Sequence, residues 1–313
     1  MRLLNTIKYF ILMTALSLLF ISNTHADMGS AGADFLMLGS GAAPSAVGGS
    51  PAAVSYGINS LMWNPAGITK ISHREFSATH SEWLEGVRYE FFGCAQKVKN
   101  TGTFALSVFY LHMSAIEKRL LNGTEDGSFS ASDMSASISF GREISANLSL
   151  GTNLKLINQN IDKENAFGVA LDIGGMYNIK DTSFKLGGAL LNIGPSMKFI
   201  KTRYPLPLAL NIGGAYSYGT YEISLNLLHR ILEKESSASF GIEYKPIAYL
   251  SLRGGYLLTL AGSAITNNSI GENGISNLNA GLGFKVKDHQ IDYTFTPFAQ
   301  LGNTHRISLT GRF

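Results

Sequence analysis

Residues 62–90 read MWNPAGITKISHREFSATHSEWLEGVRYE, and they join two unlike kinds of sequence. Upstream lies a Gly/Ala/Ser-rich segment with no strand period, while downstream nearly every window of ten alternates apolar with small polar side chains. Within the junction, Pro65 lacks an N–H and Gly67 permits a positive φ, so Trp63-Asn64-Pro65-Ala66-Gly67 interrupts any regular element and turns the chain. From Glu75 onward, Phe76, Ala78, His80 and Glu82 alternate with Ser77, Thr79, Ser81 and Trp83, the period of a β-strand. Glu85-Gly86 marks a turn, after which Val87, Tyr89 and Phe91 fall on one face of a second strand and Arg88, Glu90 and Phe92 on the other. The stretch reads as an N-terminal plug feeding the first hairpin of a membrane β-barrel.

Composition supports a membrane. Of 313 residues 45% are hydrophobic and only 15% charged, against about 25% charged in ordinary soluble domains, so something other than water solvates much of the surface. The 34 glycines, 13 tyrosines and 18 phenylalanines suit tight strand packing and interfacial aromatic girdles. A net charge of +3, evenly spread, argues against a nucleic-acid partner. Cys94 is the one cysteine, which rules out an intramolecular disulfide or a CxxC metal knuckle. It is expected to be a small, buried-type residue on the inward side of the second strand.

Arg2 and Lys8 frame the start of an apolar run, Tyr9 to Ile21, that ends in Ser22-Asn23-Thr24-His25-Ala26, the pattern of a secretory signal cleaved before Asp27. The run is shorter than the ~20 residues of a spanning helix, and no later segment offers one. An exported, apolar chain without helical spans has one common membrane solution, a closed barrel whose backbone groups are satisfied between strands. The expected organisation is a signal peptide over residues 1–26, a plug over 27–74 and an antiparallel all-β barrel over 75–313. In the plug, Phe35, Leu36 and Leu38 suggest a short helix or anchor that the glycines and Pro44 after it cannot sustain. Gly39-Ser40-Gly41 lacks both the Lys-Ser/Thr end of a Walker motif and the GxGxxG pattern.

Alternation continues downstream. Met134, Ala136, Ile138 and Phe140 oppose Ser135, Ser137, Ser139 and Gly141, and Leu148, Leu150, Leu154 and Leu156 oppose Asn147, Ser149, Asn153 and Lys155. Alternation alone does not separate a soluble sandwich from a barrel, but the connections do. Long ones are expected at 112–130, 158–165, 194–207, 229–236, 261–276 and 297–304, and short ones at 97–102, 142–145, 179–182, 217–219, 246–248 and 287–289. Outer-membrane barrels sort their connections in this way, with long loops outside and tight turns in the periplasm. The count comes to about 14 strands, with both ends of the barrel on the periplasmic side and the plug entering from there. At the C-terminus, Ile307, Leu309, Gly311 and Phe313 alternate with Arg306, Ser308, Thr310 and Arg312. A chain ending this way on Phe313 resembles the signal read by the barrel-assembly machinery, an expected partner alongside outer-membrane lipid.

The string WNPAG, followed by HSEWLEGVRYE, resembles the PorV/PorQ family of outer-membrane proteins, including its spirochaete-type members, and that family is similar to the FadL-type transporters. The resemblance covers residues 32–90 in letters and the remainder in architecture. It implies a barrel of 14 strands with an N-terminal hatch carrying an Asn-Pro-Ala element, a role that falls on Asn64, Pro65 and Ala66, with Gly67 completing the motif here. The family's Ala-Arg-Ala and paired-Asp positions read APSAVGGS and SYGIN in this chain, so those charges have no counterpart.

Chemistry is sparse. The seven histidines form no HxxxH or HExxH pair, and no GxSxG accompanies them, so no catalytic residue, metal ligand or cofactor is expected. With the apolar face outward, Arg88, Glu90, Lys155, Asp172, Lys185, Glu222, Glu243, Arg253, Lys285, Asp292 and Arg306 are expected to face the lumen, Arg88 and Glu90 nearest the plug. Apolar residues in long loops, Ile116, Leu120, Leu121, Phe199, Ile200, Phe298 and Leu301, are candidates for capturing a hydrophobic ligand. The family implies a hatch-gated porter for small hydrophobic molecules such as long-chain fatty acids. The alternative is a non-transporting scaffold, or a substrate-handling component of a type IX-like secretion system with secretion proteins as partners.

Overall fold

A computed structural model describes residues 31–119, 121, 123–261, 277–298 and 302–313. The expected signal peptide, Leu120 and Leu301 lie outside them. Eighteen strands follow in order: β1 Arg74–Glu82, β2 Val87–Val98, β3 Gly102–Met113, β4 Ile116–Arg119, β5 Glu125–Phe129, β6 Ala131–Glu143, β7 Leu148–Ile161, β8 Glu164–Asn178 and β9 Phe184–Ile193, then β10 Met197–Phe199, β11 Thr202–Tyr204, β12 Ala209–Tyr218, β13 Tyr221–Arg230, β14 Glu235–Ile247, β15 Leu250–Ala261, β16 Leu278–Val286, β17 His289–Pro297 and β18 Asn303–Arg312. Fourteen of them close into an antiparallel barrel, as expected, while β4–β5 and β10–β11 are small hairpins carried in two of the loops. β18 pairs with β1 from Glu75 opposite Arg312 to Glu82 opposite His305. Arg74 and Phe313 exchange both backbone hydrogen bonds at this seam, at 3.1 and 3.0 Å. Closure leaves the barrel no open edge.

The barrel is polar inside and apolar outside. Phe92, Leu106, Ile138, Leu154, Phe240, Leu282 and Ile307 are exposed on the outer face, whereas Ser77, Ser107, Ser137, Asn153, Ser239, Thr294 and Ser308 are buried. A water-soluble sandwich would invert this pattern, so the wall is built for lipid. Inside, the polar groups satisfy one another across strands: Ser107 with Ser137 at 2.7 Å, Thr79 with Ser308 at 2.9 Å, and Asn153 donating to Asp172 at 3.0 Å. Lys155 and Asp172, both fully buried, pair at 2.8 Å, and Arg253 bridges Glu243 and Asp292 at 2.7 and 2.6 Å.

All six short connections form at one end, the turn end, which also holds Arg74 and Phe313. The opposite, loop end departs from expectation at two places. The chain at 158–165 is not a long loop, because β7 runs to Ile161 and β8 starts at Glu164. Asn158, Asn160 and Asn165 hydrogen-bond one another there across the strands. Similarly, only residues 231–234 separate β13 from β14.

Residues 31–73 lie inside the barrel and cross it lengthwise. Gly32 N–H bonds to Pro205 C=O at 2.8 Å and Ala33 N–H to Gln159 Oε1 at 3.1 Å at the loop end, whereas Lys70 pairs with Glu143 at 2.9 Å near the turn end. The described part of the segment therefore begins at the far end of the lumen and descends to β1. A five-residue helix, Ala42–Ala46, does form in the Gly/Ala/Ser stretch, and Asp34–Met37 makes one 3-10 turn. The segment comes this close to the wall because inward-facing wall positions lack side chains. A Cβ at Gly241 or Gly281 would stand 2.5 Å from Val47 O or Ala46 Cβ, and Gly151, Gly174, Gly187 and Gly255 touch Pro65, Asn64, Ala52 and Gly48 in the same way.

Candidate functional site

The Trp63–Gly67 motif anchors this segment. Asn64 is buried and caps the 3-10 turn Pro65–Lys70, its Oδ1 accepting from Ala66 N–H at 3.1 Å. Its Nδ2 donates to Ala52 C=O at 2.7 Å, within the segment, and to Gly175 C=O of β8 at 3.0 Å. Pro65 supplies the fixed φ that starts the turn and has no N–H to satisfy. Asn211 of β12 donates to Trp63 C=O at 3.0 Å. Gly67 packs where a side chain would meet Ser60, and its C=O accepts from Ser55 Oγ at 2.7 Å. The motif thus ties the segment to itself and to the wall on two strands.

Above it, at the loop end, lies a cavity of about 540 Å³. Its floor and side come from Ala31–Phe35 and Leu38, its wall from Leu111, Asp133, Gln159, Ile161 and Ala166, and its rim from Met197, Phe199 and Tyr204 of the β10–β11 hairpin. In that hairpin Met197 pairs with Tyr204 and Phe199 with Thr202, while Lys198 and Arg203 pair on the alternate face, both exposed. The cavity's size and apolar lining suit a small hydrophobic molecule. Beneath it an apolar cluster continues through Phe35, Leu36, Tyr89, Phe91, Phe109 and Ile157, with Tyr89 stacked on Phe109 at 4.9 Å and Phe35 against Phe109 at 5.9 Å. Burial raises the Asp34 carboxyl above the ordinary range against the pull of Arg230.

A second cavity of about 300 Å³, toward the turn end, is charged, with Glu222, Glu243, Lys245, Arg253, Lys285, Asp292 and Arg312 around Tyr56. Glu75 accepts from Ile58 N–H at 2.7 Å and pairs with Arg312 at 2.9 Å, joining segment to seam.

Several expected positions are corrected. Arg88 and Glu90 do not face the lumen: Arg88 is exposed on the outer face, and Glu90 lies with it, 3.2 Å from both His80 and His112. Tyr89 and Phe91 take the inner face instead, and the Arg306 guanidinium lies 5.0 Å over the Tyr89 ring. The reason is that this sector of the lumen is apolar, because it packs the tip of the N-terminal segment. Cys94, on the same parity as Arg88, is exposed outside rather than inside. Lys155, Asp172, Glu243, Arg253, Asp292 and Arg306 are buried as expected, and Lys185 and Glu222 are paired. Among the loop candidates Phe199 lines the cavity, Phe298 packs edge-on against Trp83 at 5.1 Å, and Ile116, Leu121 and Ile200 are exposed without entering it. Sequence reasoning missed Phe35, Leu38, Leu111, Ile161, Ala166, Met197 and Tyr204 as cavity residues. The alternation of Met197 and Phe199 around Lys198 inside a loop was the available signal.

No family model matches the sequence, and no curated protein matches it. Among solved structures, the chain is similar to the toluene transporter TbuX of Ralstonia pickettii, with a TM-score of 0.62 and 13% identity over 89% of this chain and 100% of that one. It is also similar to the toluene transporter TodX of Pseudomonas putida, at 0.59 and 14% over 87% and 96%. A Pseudomonas aeruginosa FadL homologue aligns at 0.58 and 10% over 88% and 98%. At these identities the likeness is one of fold: this chain has the barrel architecture of FadL-type transporters.

Proposed function

We propose that the protein is an outer-membrane porter for small hydrophobic molecules, admitted at the loop end and released when the N-terminal segment moves as a hatch. The observation that carries this reading is the apolar cavity inside the wall, bounded by the tip of that segment, where an open aqueous pore would present polar groups. The fold shared with TbuX, TodX and a FadL homologue supports it. The WNPAG junction supports kinship with the PorV/PorQ group, and Phe313 at the barrel seam is proposed as the residue read by the assembly machinery.

The test is uptake of radiolabelled hydrophobic compounds by a Gram-negative host lacking its own hydrophobic-compound porter, comparing the wild type with Ala166→Trp, which fills the cavity. Wild-type uptake above the empty-vector level, abolished by Ala166→Trp in a barrel with normal heat-modifiable mobility, is expected. Wild-type uptake equal to vector from an assembled barrel refutes the porter reading and favours the secretion scaffold.

A further inference from the structure

The cavity's charge pattern goes further than its apolarity. Its polar side chains are Asp34, Asp133, Gln159 and Tyr204, and among the described residues that line it there is no Lys, Arg or His. The basic residues of the overhanging hairpin, Lys198 and Arg203, are on the face that alternates with the cavity-lining one. Arg230, which reaches Asp34 at the cavity's edge, is held by three carboxylates, Asp34, Glu233 and Glu235.

Resting on the porter reading, we propose that the cavity takes amphiphiles whose polar end donates hydrogen bonds, an alcohol or an ammonium on an apolar body, and excludes carboxylates. The physics is direct. A carboxylate entering a partly dry pocket loses hydration and meets two carboxyl side chains, Asp133 and the Arg230-paired Asp34, with no Lys, Arg or His among the described lining residues to offset either cost. A hydroxyl or ammonium instead finds acceptors in the Asp133 and Asp34 oxygens, and a charged donor bond is stronger than a neutral one. The long-chain fatty acids implied by family resemblance are, in this cavity, the disfavoured head-group class.

The experiment holds the tail constant. Purified protein in lipid nanodiscs is loaded with the neutral probe N-phenylnaphthylamine, and dodecanol, dodecylamine and dodecanoate are titrated as displacers at about pH 8, where the acid is ionised and the amine protonated. The alcohol and amine are expected to displace at concentrations at least about tenfold below dodecanoate, which corresponds to about 1.4 kcal/mol. The Asp34→Asn/Asp133→Asn variant is expected to close that gap. If it fails to assemble, Ile161→Lys, at a partly exposed lining position, serves instead by raising dodecanoate affinity. Equal displacement by dodecanoate and dodecanol in the wild type overturns the head-group inference and leaves the porter intact. Displacement by none of the three overturns both.

Discussion

Replacing Asn64 by Ala should loosen the N-terminal segment without unfolding the barrel. The side chain makes three hydrogen bonds in a site closed to water: it accepts from Ala66 N–H and donates to Ala52 C=O and Gly175 C=O. Alanine leaves these groups without that partner. Each buried group left unmatched costs about 1–3 kcal/mol, and a lost N-cap costs about 1 kcal/mol. Because Gly175 C=O belongs to a strand already paired on both sides, the cost to the segment's seat is closer to the low end, about 3 kcal/mol. That shifts the balance between seated and displaced forms by about a hundredfold. The assay is conductance of single barrels in a planar bilayer, where displacement of a segment that crosses the lumen registers as a current step. Wild-type barrels should be closed with rare steps, and Asn64→Ala should raise the open fraction by about two orders of magnitude at unchanged heat-modifiable mobility. Gly187→Val should do the same by another route, since a side chain there would occupy the position of Ala52 C=O. An Asn64→Ala barrel that stays closed, with its segment as protected from protease as in the wild type, would show that these bonds do not hold the segment in place.

Two further perturbations probe the wall. Asp172→Ala strands Lys155, which is fully buried and, among the described residues, bonded to Asp172 and to Asn192, the latter at 2.7 Å. Breaking such a pair from one side costs about 3–5 kcal/mol, so the urea midpoint for unfolding of the reconstituted barrel should fall clearly, and an unchanged midpoint would mean that water or another anion reaches Lys155. Deleting Phe313 removes the ring stacked on Phe76 at 5.7 Å and both hydrogen bonds to Arg74 at the seam. The heat-modifiable fraction in cells should drop several-fold, while refolding of the purified variant from urea into detergent is affected less. Equal loss in both settings would assign Phe313 to seam stability alone.

The barrel was legible because two constraints act on every residue of a spanning strand. Its backbone must pair and its outward side chain must suit lipid, so Ile307, Leu309 and Phe313 could be placed outside and Arg306, Ser308 and Thr310 inside from letters alone. The tight turns were legible for a related reason: Lys99-Asn100-Thr101 and Lys287-Asp288 break alternation within a few residues, and positive φ at Asn100 and Lys287 matches such turns. On β2 the same logic failed. It assumed a polar lumen, whereas Tyr89 and Phe91 face an apolar partner, Phe35 and Leu36, some fifty residues earlier in the chain. One misassigned face then carried Arg88, Glu90 and Cys94 with it, because a period of two leaves no room for partial error. The Asn-rich stretch at 158–165 looked like a loop because asparagine usually ends strands, yet here its amides bond across the hairpin and extend it. The cavity is the least legible feature, and for a general reason. Its lining comes from the N-terminal tip, from β3, β6, β7 and β8, and from a hairpin in the β9–β12 loop, so no window of sequence contains it. The lack of Lys, Arg and His among its described lining residues, however, is a property of the set, and becomes readable once the register places each of them. The head-group inference follows from that register rather than from any motif: a single basic residue at Gln159 or Ile161 would reverse it without disturbing the strand pattern.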